Sequence, residues 1–370
     1  MKKVFRVIIL VLLVSSVLIG SSIKIGVVLP MTGGVSSFGQ MLWEGIKTAK
    51  ELQPKVLGYD VELILLDNKS DKVESANAFR RLIEKEKVIA VLGDLTSSQA
   101  IAGAAVSEEL KTPQLTPSAS SPLVTAQKKY VSRVCFADPF QGEVAAKFTA
   151  DSLKLTKVAM FMDVEQDYAV GLAKYFEKTF ISKGGKIIRE LYKSGDQDFT
   201  AQISDAMSKG AQAFFIPGYY QEIALIAIQA KQAGFEGALV TGDGADAAET
   251  IEIGKDAVNG LYLTAHYHQD SPAANKNAEM FLQKFSQLFS KSKPSSLSAL
   301  GFDAYMILLD SISRANSFNK DKINEQIRKT ANFPGATGFI TIDKNGDTIK
   351  SVTMVRIENG KFVYDSMINP

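Results

Sequence analysis

The chain has 370 residues, of which 46% are hydrophobic and 22% charged, and its formal net charge at pH 7 is +2. This length suits two ordinary domains of about 150 residues each, and the apolar content is normal for a soluble globular protein. The sequence has no basic tract and no stripe of lysine and arginine, which argues against nucleic acid as a partner.

The single cysteine, Cys135, lies in an apolar, strand-like segment over residues 131–136. One cysteine cannot form an internal disulfide, so the stability of the fold must come from its core. A catalytic nucleophile is one interpretation of this residue, and a buried structural thiol is the interpretation that we favour.

The first 22 residues have the layout of a secretory signal peptide. Lys2, Lys3 and Arg6 precede an apolar run over residues 7–19, and small residues follow to Ser22. We predict export to the periplasm or another extracytoplasmic space, with cleavage after Ser22. A retained N-terminal anchor is the alternative, because the run is only marginally short for a bilayer span of about 20 residues. Removal of the three cations takes the formal charge from +2 to −1.

Short apolar strands then alternate with amphipathic helices. The first group comprises strands over residues 23–30, 61–66 and 88–92 and helices over residues 40–52, 71–83 and 98–110. The second comprises strands over residues 157–162, 186–191, 213–216 and 238–241 and helices over residues 171–183, 199–207 and 222–233. Continuous apolar strands in this alternation predict parallel sheets with helices on both faces.

The predicted strands are too numerous for one compact sheet, and the pattern restarts after about residue 140, next to Pro139. Consecutive helices follow over residues 273–330, and late strands over residues 338–342 and 352–357 flank a polar turn. The sequence therefore predicts an α/β fold with two Rossmann-like lobes. Because no low-complexity linker separates them, we expect the lobes to pack side by side around a cleft.

Two histidines, His266 and His268, lie two residues apart in a segment that reads as a strand, which would place them on one face. A metal site needs three or four ligands, and no third ligand with suitable spacing lies nearby. We interpret them as a pair of interlobe or surface histidines. A serine hydrolase is not supported either, because the sequence lacks a Gly-x-Ser-x-Gly elbow.

The turn over residues 242–247 fits the pattern G-x-G-x-x-A after a predicted strand, as in a dinucleotide site. Asp243 and Asp246 would repel a pyrophosphate there, and the next strand has no acidic residue for a ribose. Two interpretations remain open for this turn. Asp243 lies beyond the carboxyl end of a strand, where it can accept an ammonium group, or Asp243 or Asp246 simply caps a helix.

Two hydroxyl-rich loops have the complementary chemistry. Thr96, Ser97 and Ser98 surround a predicted helix start, where free N–H groups and the helix dipole favour a carboxylate. Capping of that helix by one of these hydroxyls is the alternative. The loop over residues 116–122 follows the next strand and can line the same crevice. Aromatic residues at other strand or loop exits, namely Phe38, Tyr168, Tyr219 and Tyr220, fit a closed pocket with an apolar end and a polar end.

In their order and spacing, several segments resemble the branched-chain amino-acid binding proteins of ABC transporters, which are type I periplasmic binding proteins. These segments are residues 23–33, 93–98, 116–120, 218–222, 242–244 and 301–304. The resemblance covers essentially the whole mature chain. It implies two lobes joined by three crossovers, with residues 23–139 and 267–347 in one lobe and residues 140–266 and 348–370 in the other.

The resemblance also implies roles for individual residues. Ser97, Ala119 and Ser120 match positions that hold the ligand carboxylate, partly through backbone N–H groups. Tyr168 and Asp243 match positions near the ligand amine, where well-known leucine binders carry Glu instead of Asp.

Phe38, either Tyr219 or Tyr220, and Phe302 match positions of the side-chain pocket. The disulfide of some family members is absent, since Ser70 and Thr96 occupy the cysteine positions.

We therefore expect a non-enzymatic receptor that captures a branched-chain or other neutral amino acid between its lobes and delivers it to the permease subunits of an ABC transporter, without a cofactor or a metal. The alternatives are a ligand-sensing subunit of a membrane signalling receptor, a binder of amides, urea or carboxylates, and, least favoured, a Rossmann-like enzyme. A repressor on this fold would carry an N-terminal helix-turn-helix, and the predicted signal peptide stands in its place.

Overall fold

The computed structural model describes residues 22–271 and 275–370. The predicted signal peptide lies outside the described residues, except for Ser22, the first residue of the first strand. Within the described ranges, no helix is both long enough and apolar enough to cross a membrane.

The first sheet has six strands in the order β2-β3-β1-β4-β5-β6. Its strands are β1 (Ser22–Leu29), β2 (Lys55–Val56), β3 (Tyr59–Asp67), β4 (Ala90–Leu92), β5 (Gln114–Thr116) and β6 (Val131–Arg133). All neighbours pair in parallel except β2, which forms an antiparallel hairpin with β3. The carboxyl ends of β1, β4 and β5 therefore lie along one edge of the sheet.

Three helices connect these strands, namely α1 (Ser36–Leu52), α2 (Lys72–Glu84) and α3 (Ser97–Glu109). The start of α2 is fixed by Asp71, whose carboxylate accepts the N–H groups of Val73 and Glu74. The apolar face of α2, with Phe79 and Leu82, packs on Val28 of the central strand. Amphipathic periodicity in the sequence thus becomes a helix layer on this sheet.

The second sheet begins with a helix, α4 (Asp138–Lys147), and a short π-helical turn (Phe148–Ser152). The strands that follow are β7 (Lys157–Asp163), β8 (Lys186–Tyr192), β9 (Ala213–Ile216), β10 (Ala238–Thr241) and β11 (Tyr262–Ala265). The helices between them are α5 (Asp167–Ser182), α6 (Thr200–Ser208), α7 (Tyr220–Gln232) and α8 (Ala248–Gly254).

The chain then returns to the first sheet with α9 (Lys276–Leu288), α10 (Ser296–Ala315) and α11 (Lys320–Ile327). Helix α10 packs along α1, and glycines make the close approach possible. A Cβ atom on Gly45 would lie 1.8 Å from the carbonyl oxygen of Ser298, and one on Gly301 would lie 2.4 Å from that of Leu42. These helices share one core with the first sheet, including Ile25, Val27, Phe302 and Tyr305.

A small three-stranded sheet follows, in the order β12-β13-β14, formed by β12 (Phe333–Gly335), β13 (Gly338–Ile342) and β14 (Thr348–Ile349). The last two strands, β15 (Val352–Glu358) and β16 (Lys361–Ile368), join the second sheet, whose order is β16-β15-β11-β10-β9-β7-β8. Both are antiparallel to their neighbours, whereas β7 to β11 are parallel.

The chain thus passes between the two sheets three times, after β6, after β11 and after β14. We call these segments the first crossover (residues 134–137), the second crossover (residues 266–271) and the third crossover (residues 350–351). The first lobe consists of the six-stranded sheet with α1–α3, α9–α11 and β12–β14, and the second lobe consists of the seven-stranded sheet with α4–α8.

Sequence reasoning missed α4 and β16. The restart of the pattern next to Pro139 predicts a break in the chain there, but Pro139 lies in the first turn of α4, where proline is tolerated because that N–H has no helical partner. The strand at the second crossover ends at Ala265, so His266 and His268 are not paired on one strand face as expected. His266 is 2% exposed, and the ring of His268 contacts the carbonyl oxygen of Phe362 at 3.2 Å.

Candidate functional site

A narrow cavity lies between the two lobes. Its walls are formed by Phe38, Leu95, Thr96, Ser97, Ser118, Ser120 and Leu297 from the first lobe and by Tyr168, Tyr219, Asp243 and Gly244 from the second. Six of the residues predicted from the sequence meet here, namely Phe38, Ser97, Ser120, Tyr168, Tyr219 and Asp243. They come from the carboxyl ends of parallel strands or the helix starts that follow them.

The loop between β4 and α3 provides one polar end of the cavity. Thr96 is the residue before the first turn of α3, and its side chain makes no capping hydrogen bond. Its Oγ1 atom is buried and has no hydrogen-bond partner among the described residues. Ser97 Oγ accepts the N–H of Ser121 at 3.1 Å, which connects this loop to the neighbouring hydroxyl loop. The alternative of a self-capping hydroxyl is therefore not seen at Thr96.

Ser98, the third hydroxyl of that loop, faces the other lobe. Its Oγ donates to Asp167 Oδ2 at 2.9 Å and accepts the N–H of Asp167 at 3.1 Å. Asp167 is the first residue of α5. This pair therefore bridges the lobes beside the cavity.

The loop after β5 is held by Arg133, which is fully buried. Its guanidinium donates to the carbonyl oxygens of Ala119 (2.8 Å) and Ser121 (2.9 Å), and its Nε donates to Asp347 Oδ1 (2.8 Å). The N–H of Ala119 donates to Thr116 Oγ1 at 3.2 Å. Sequence reasoning missed Arg133, although a charged residue inside the apolar segment 131–136 was a signal, because buried arginine needs partners.

Asp243 lies just beyond β10 at the opposite end of the cavity. Its Oδ1 accepts hydrogen bonds from Gln141 Nε2 and Tyr168 OH, each at 2.8 Å, and its Oδ2 lies 2.9 Å from His266 Nε2. Burial by itself raises the pKa of Asp243, but the contacts with His266, Gln141 and Tyr168 outweigh it and hold the pKa below the ordinary value. The carboxylate is therefore ionised at neutral pH.

At neutral pH, His266 is uncharged and donates a hydrogen bond to Asp243. Burial lowers the pKa of His266, and the attraction of Asp243 offsets this only in part. A neutral imidazole next to an ionised carboxylate carries its proton on Nε2 and donates it. Nδ1 of His266 is buried without a hydrogen-bond partner in the described part of the chain.

The alternative of a helix cap in this turn is not observed. A short 3₁₀ turn follows Gly242, and α8 follows Ala247, neither with a side-chain cap bond. Asp246 is buried, which raises its pKa to about 6. Gln141 and His266 are further contacts of Asp243 that sequence reasoning did not assign to the site. Gln141 lies on α4, the missed helix, and its Nε2 also donates to Thr264 Oγ1 at 2.7 Å.

Aromatic rings line the space between the two polar ends. Tyr168 and Tyr219 stack with ring centroids 5.4 Å apart, and Phe38 meets Tyr219 edge-on at 6.0 Å. Leu95 and Leu297 complete this apolar wall. The cavity therefore combines an anion, a cluster of hydroxyl groups and an aromatic surface.

Three predicted residues lie outside the cavity wall, and their roles stay predictions. Tyr220 OH donates to the carbonyl oxygen of Gly34 at 2.9 Å, across the lobes. Phe302 lies on α10, is fully buried and packs on Phe281 at 5.2 Å. Ala119 is buried next to Ser120.

A wider groove lies beside the second and third crossovers, with His268, Glu279, Phe339, Lys350 and Met367 among its walls. Apart from His266 and His268, none of the candidate site residues discussed above lines it. The interlobe cavity is the better candidate, because charged, hydroxylic and aromatic groups converge there. Within residues 22–271 and 275–370, no group of three or more His, Cys, Asp or Glu side chains is placed to hold a metal ion.

The chain is similar to known periplasmic binding proteins along most of its length. A family model described as periplasmic binding protein matches residues 22–361. The leucine-, isoleucine-, valine-, threonine-, and alanine-binding protein of Pseudomonas aeruginosa is 29% identical, covering 88% of this chain and 87% of that protein. The Leu/Ile/Val-binding protein BraC3 of Rhizobium johnstonii is also 29% identical, covering 93% of this chain and 94% of that protein.

Two solved structures share the architecture. The leucine binding protein LivK of Thermotoga maritima superposes with a TM-score of 0.92 at 52% identity, covering 94% of this chain and 99% of that one. The branched-chain amino acid transporter substrate binding protein LivJ of Streptococcus pneumoniae, in complex with isoleucine, superposes with a TM-score of 0.88 at 27% identity. The match covers 95% of this chain and 100% of that one. These matches confirm the two-lobed α/β fold predicted from the sequence.

Proposed function

The chain belongs to the periplasmic binding protein family, and we propose that it captures a branched-chain or similar neutral amino acid between its lobes and presents it to an ABC permease. The observation that carries this proposal is the cavity itself, where an ionised Asp243 lies opposite the hydroxyl groups of Thr96, Ser97 and Ser120. Binding and release, without turnover, would be its whole activity.

The two polar ends suit a zwitterion. An ammonium group enclosed in the cavity loses its hydration and needs an anion in return. Asp243 provides that anion, and among the described residues its Oδ2 atom has only His266 as a partner. At the other end, the first N–H groups of α3 are free of helical partners, as at every helix start, and suit a carboxylate.

Thr96 supports the carboxylate end further. A buried hydroxyl without a partner costs about 1–3 kcal/mol. A ligand oxygen within reach of Thr96 Oγ1 would remove that cost, so the unpartnered atom favours an occupied cavity.

The space between the polar ends favours an apolar side chain. Phe38, Tyr168 and Tyr219 present rings, and Leu95 and Leu297 present aliphatic groups. With Asp243 paired to the ligand amine, no other charged residue lines the cavity to pair with a charged side chain of a ligand. The relatives named above, which bind leucine, isoleucine and valine, agree with this class of ligand.

The test is a calorimetric titration of residues 23–370 with leucine, isoleucine and valine, after unfolding and refolding to remove carried-over ligand. Asp243→Asn keeps the shape and removes the charge, so we expect a loss of affinity of at least about thirtyfold, as for a buried charged contact that loses one partner. Ser97→Ala should weaken binding by up to about tenfold, the value of one hydrogen bond.

Asp270→Asn is the matched control, because this carboxylate is 70% exposed and lies in the second crossover away from the cavity. It should bind as the unaltered protein does. Unchanged affinity in both Asp243→Asn and Ser97→Ala would refute the proposed site.

Delivery to a permease and export are the finer parts of the proposal. They rest on the family and on relatives such as the branched-chain amino acid transporter substrate binding protein of Streptococcus pneumoniae. Leucine uptake by membrane vesicles that contain the cognate permease should depend on added mature protein and fail with Asp243→Asn.

A further inference from the structure

We propose that His266 is a positioning residue that sets, through Asp243, how strongly the cavity holds the ammonium group of its ligand. This inference rests on the proposed function, because it assigns Asp243 to the ligand amine. It makes ligand affinity dependent on the protonation state of one buried imidazole that does not itself line the cavity.

The imidazole of His266 is held in place from several sides. The ring stacks on Phe136 of the first crossover, with centroids 3.7 Å apart and an interplanar angle of 24°. The backbone N–H of His266 donates to Ser296 Oγ at 3.2 Å, at the start of α10. Nε2 then points at Asp243 Oδ2 at 2.9 Å. Groups from both lobes and from two crossovers therefore fix the distance on which the contact depends.

The neutral and protonated rings have opposite effects on the ligand. A neutral ring donates one hydrogen bond and leaves the negative charge of Asp243 available to an ammonium group. An imidazolium would neutralise Asp243 and repel the ammonium, since both cations would share one carboxylate. Ligand binding and protonation of His266 therefore oppose each other, and by linkage each weakens the other to the same extent.

Other ionisable groups lie around the pair of Asp243 and His266, and their effects must be distinguished from that of His266. Asp246 lies in the same turn as Asp243, Asp138 starts α4, Cys135 lies in the first crossover and Lys350 in the third. Burial raises the pKa of Asp138 to about 8 and lowers that of Lys350 to about 8. Both groups therefore titrate above the pH range in which His266 takes up a proton. Burial raises the pKa of Cys135 to about 12.

Asp246 is the group that can imitate His266, because burial raises its pKa to about 6. Loss of its negative charge on acidification would also weaken the attraction for an ammonium group. Variants of the two residues therefore have to be compared in the same pH range.

The first experiment follows the imidazole directly in tag-free mature protein without ligand. The chain has two histidines, so their C–H signals in a proton–carbon NMR spectrum are assigned by His268→Gln alone. The His266 signal should titrate at a lower pH in Asp243→Asn than in the unaltered protein, because the attraction of the carboxylate is lost. An unchanged titration overturns the inference, and this arm does not depend on the identity of the ligand.

The second experiment measures the dissociation constant of leucine between pH 4.5 and 7.5 for the unaltered protein, His266→Gln, His268→Gln and Asp246→Asn. We expect the dissociation constant to rise by up to tenfold per pH unit below the pKa of His266. Glutamine can donate from a similar position and does not titrate, so His266→Gln should bind at pH 7.5 and lose the acidic rise. His268→Gln and Asp246→Asn should keep it.

A rise that persists in His266→Gln and disappears in Asp246→Asn assigns the effect to Asp246 and overturns the inference. Absence of any binding at pH 7.5 in the unaltered protein contradicts the proposed function instead, so the two failures are distinct.

Discussion

At the scale of single residues, the surroundings of the site include buried ionisable groups that do not line the cavity. Arg133 is the clearest case, because its guanidinium holds two carbonyl groups of the hydroxyl loop and the carboxylate of Asp347. Asp138 is the opposite case. Both of its carboxylate oxygens are buried and lack hydrogen-bond partners within the described residues.

Replacement of Arg133 with methionine should therefore be costly. It keeps the length of the side chain but removes the buried donor to Asp347 and to the carbonyl groups of Ala119 and Ser121. Thr125 still donates to Asp347, and the N–H of Val124 to Ser121, so we expect a loss of about 2–4 kcal/mol in the free energy of unfolding. Urea denaturation measures this. Arg80→Met removes an exposed pair with Glu84 and Glu109 and should cost less than about 1 kcal/mol. Equal losses in the two variants would show that burial of Arg133 is not what matters.

The buried carboxyl group of Asp138 should make the free energy of unfolding depend on pH. Burial raises its pKa in the folded protein to about 8, against about 4 in the unfolded chain. Its contribution to stability is thus fully present below pH 4 and is lost as the pH rises through 8. Asp138→Asn should have a melting temperature that rises relative to that of the unaltered protein from pH 4.5 to pH 9. A difference that stays constant across this range would contradict the raised pKa.

At the scale of secondary-structure elements, α4 decides the geometry at Asp243, because it carries Gln141. This helix lies close against α5. A Cβ atom on Gly142 would lie 2.8 Å from the backbone nitrogen of Phe176 and 2.8 Å from Cβ of Tyr175. The close approach of the two helices thus depends on a residue without a side chain.

Gly142→Ala should destabilise the protein, although alanine is favoured over glycine by about 1 kcal/mol inside a helix. The added methyl group meets backbone atoms, so α4 must shift and move Gln141 away from Asp243. We expect a lower melting temperature together with weaker leucine binding. Lys147→Ala, on the exposed side of the same helix, should change neither. A stabilised Gly142→Ala variant would mean that α4 can move without consequence.

At the scale of the whole molecule, the lobes are connected across the cleft by contacts that do not involve the cavity wall. Ser98 bonds Asp167, and Tyr220 bonds Gly34. These hydrogen bonds exist only while the lobes are closed. They therefore favour the conformation that encloses a ligand, and they change apparent affinity through the population of that conformation.

Ser98→Ala should weaken leucine binding by about three- to tenfold, because one interlobe hydrogen bond contributes about 0.5–1.5 kcal/mol. Small-angle scattering should show a larger radius of gyration at subsaturating leucine than for the unaltered protein. Ser182→Ala, an exposed serine at the end of α5, serves as the control and should behave normally. An unchanged affinity in Ser98→Ala would indicate that closure does not depend on this bridge.

The sequence by itself determined the layers of this fold and most of the cavity wall. Helical and strand periodicities are local properties, and they were correct for the buried strands and for helices such as α2 and α7. Asp243, Ser97 and Ser120 follow parallel strands, so a sequence argument could predict that they meet at one edge. Recognition of the family rested on the same local segments in a fixed order.

Only the tertiary structure decided which groups surround Asp243. Gln141 lies on a helix whose buried face is made of small residues such as Gly142 and Ala145, which give no apolar periodicity. His266 reaches Asp243 because β10 and β11 are neighbours and the strand ends one residue before it. Contacts of this kind join residues that are distant in sequence. They depend on the pairing of strands and on the close approach of helices, which no local pattern of residues records.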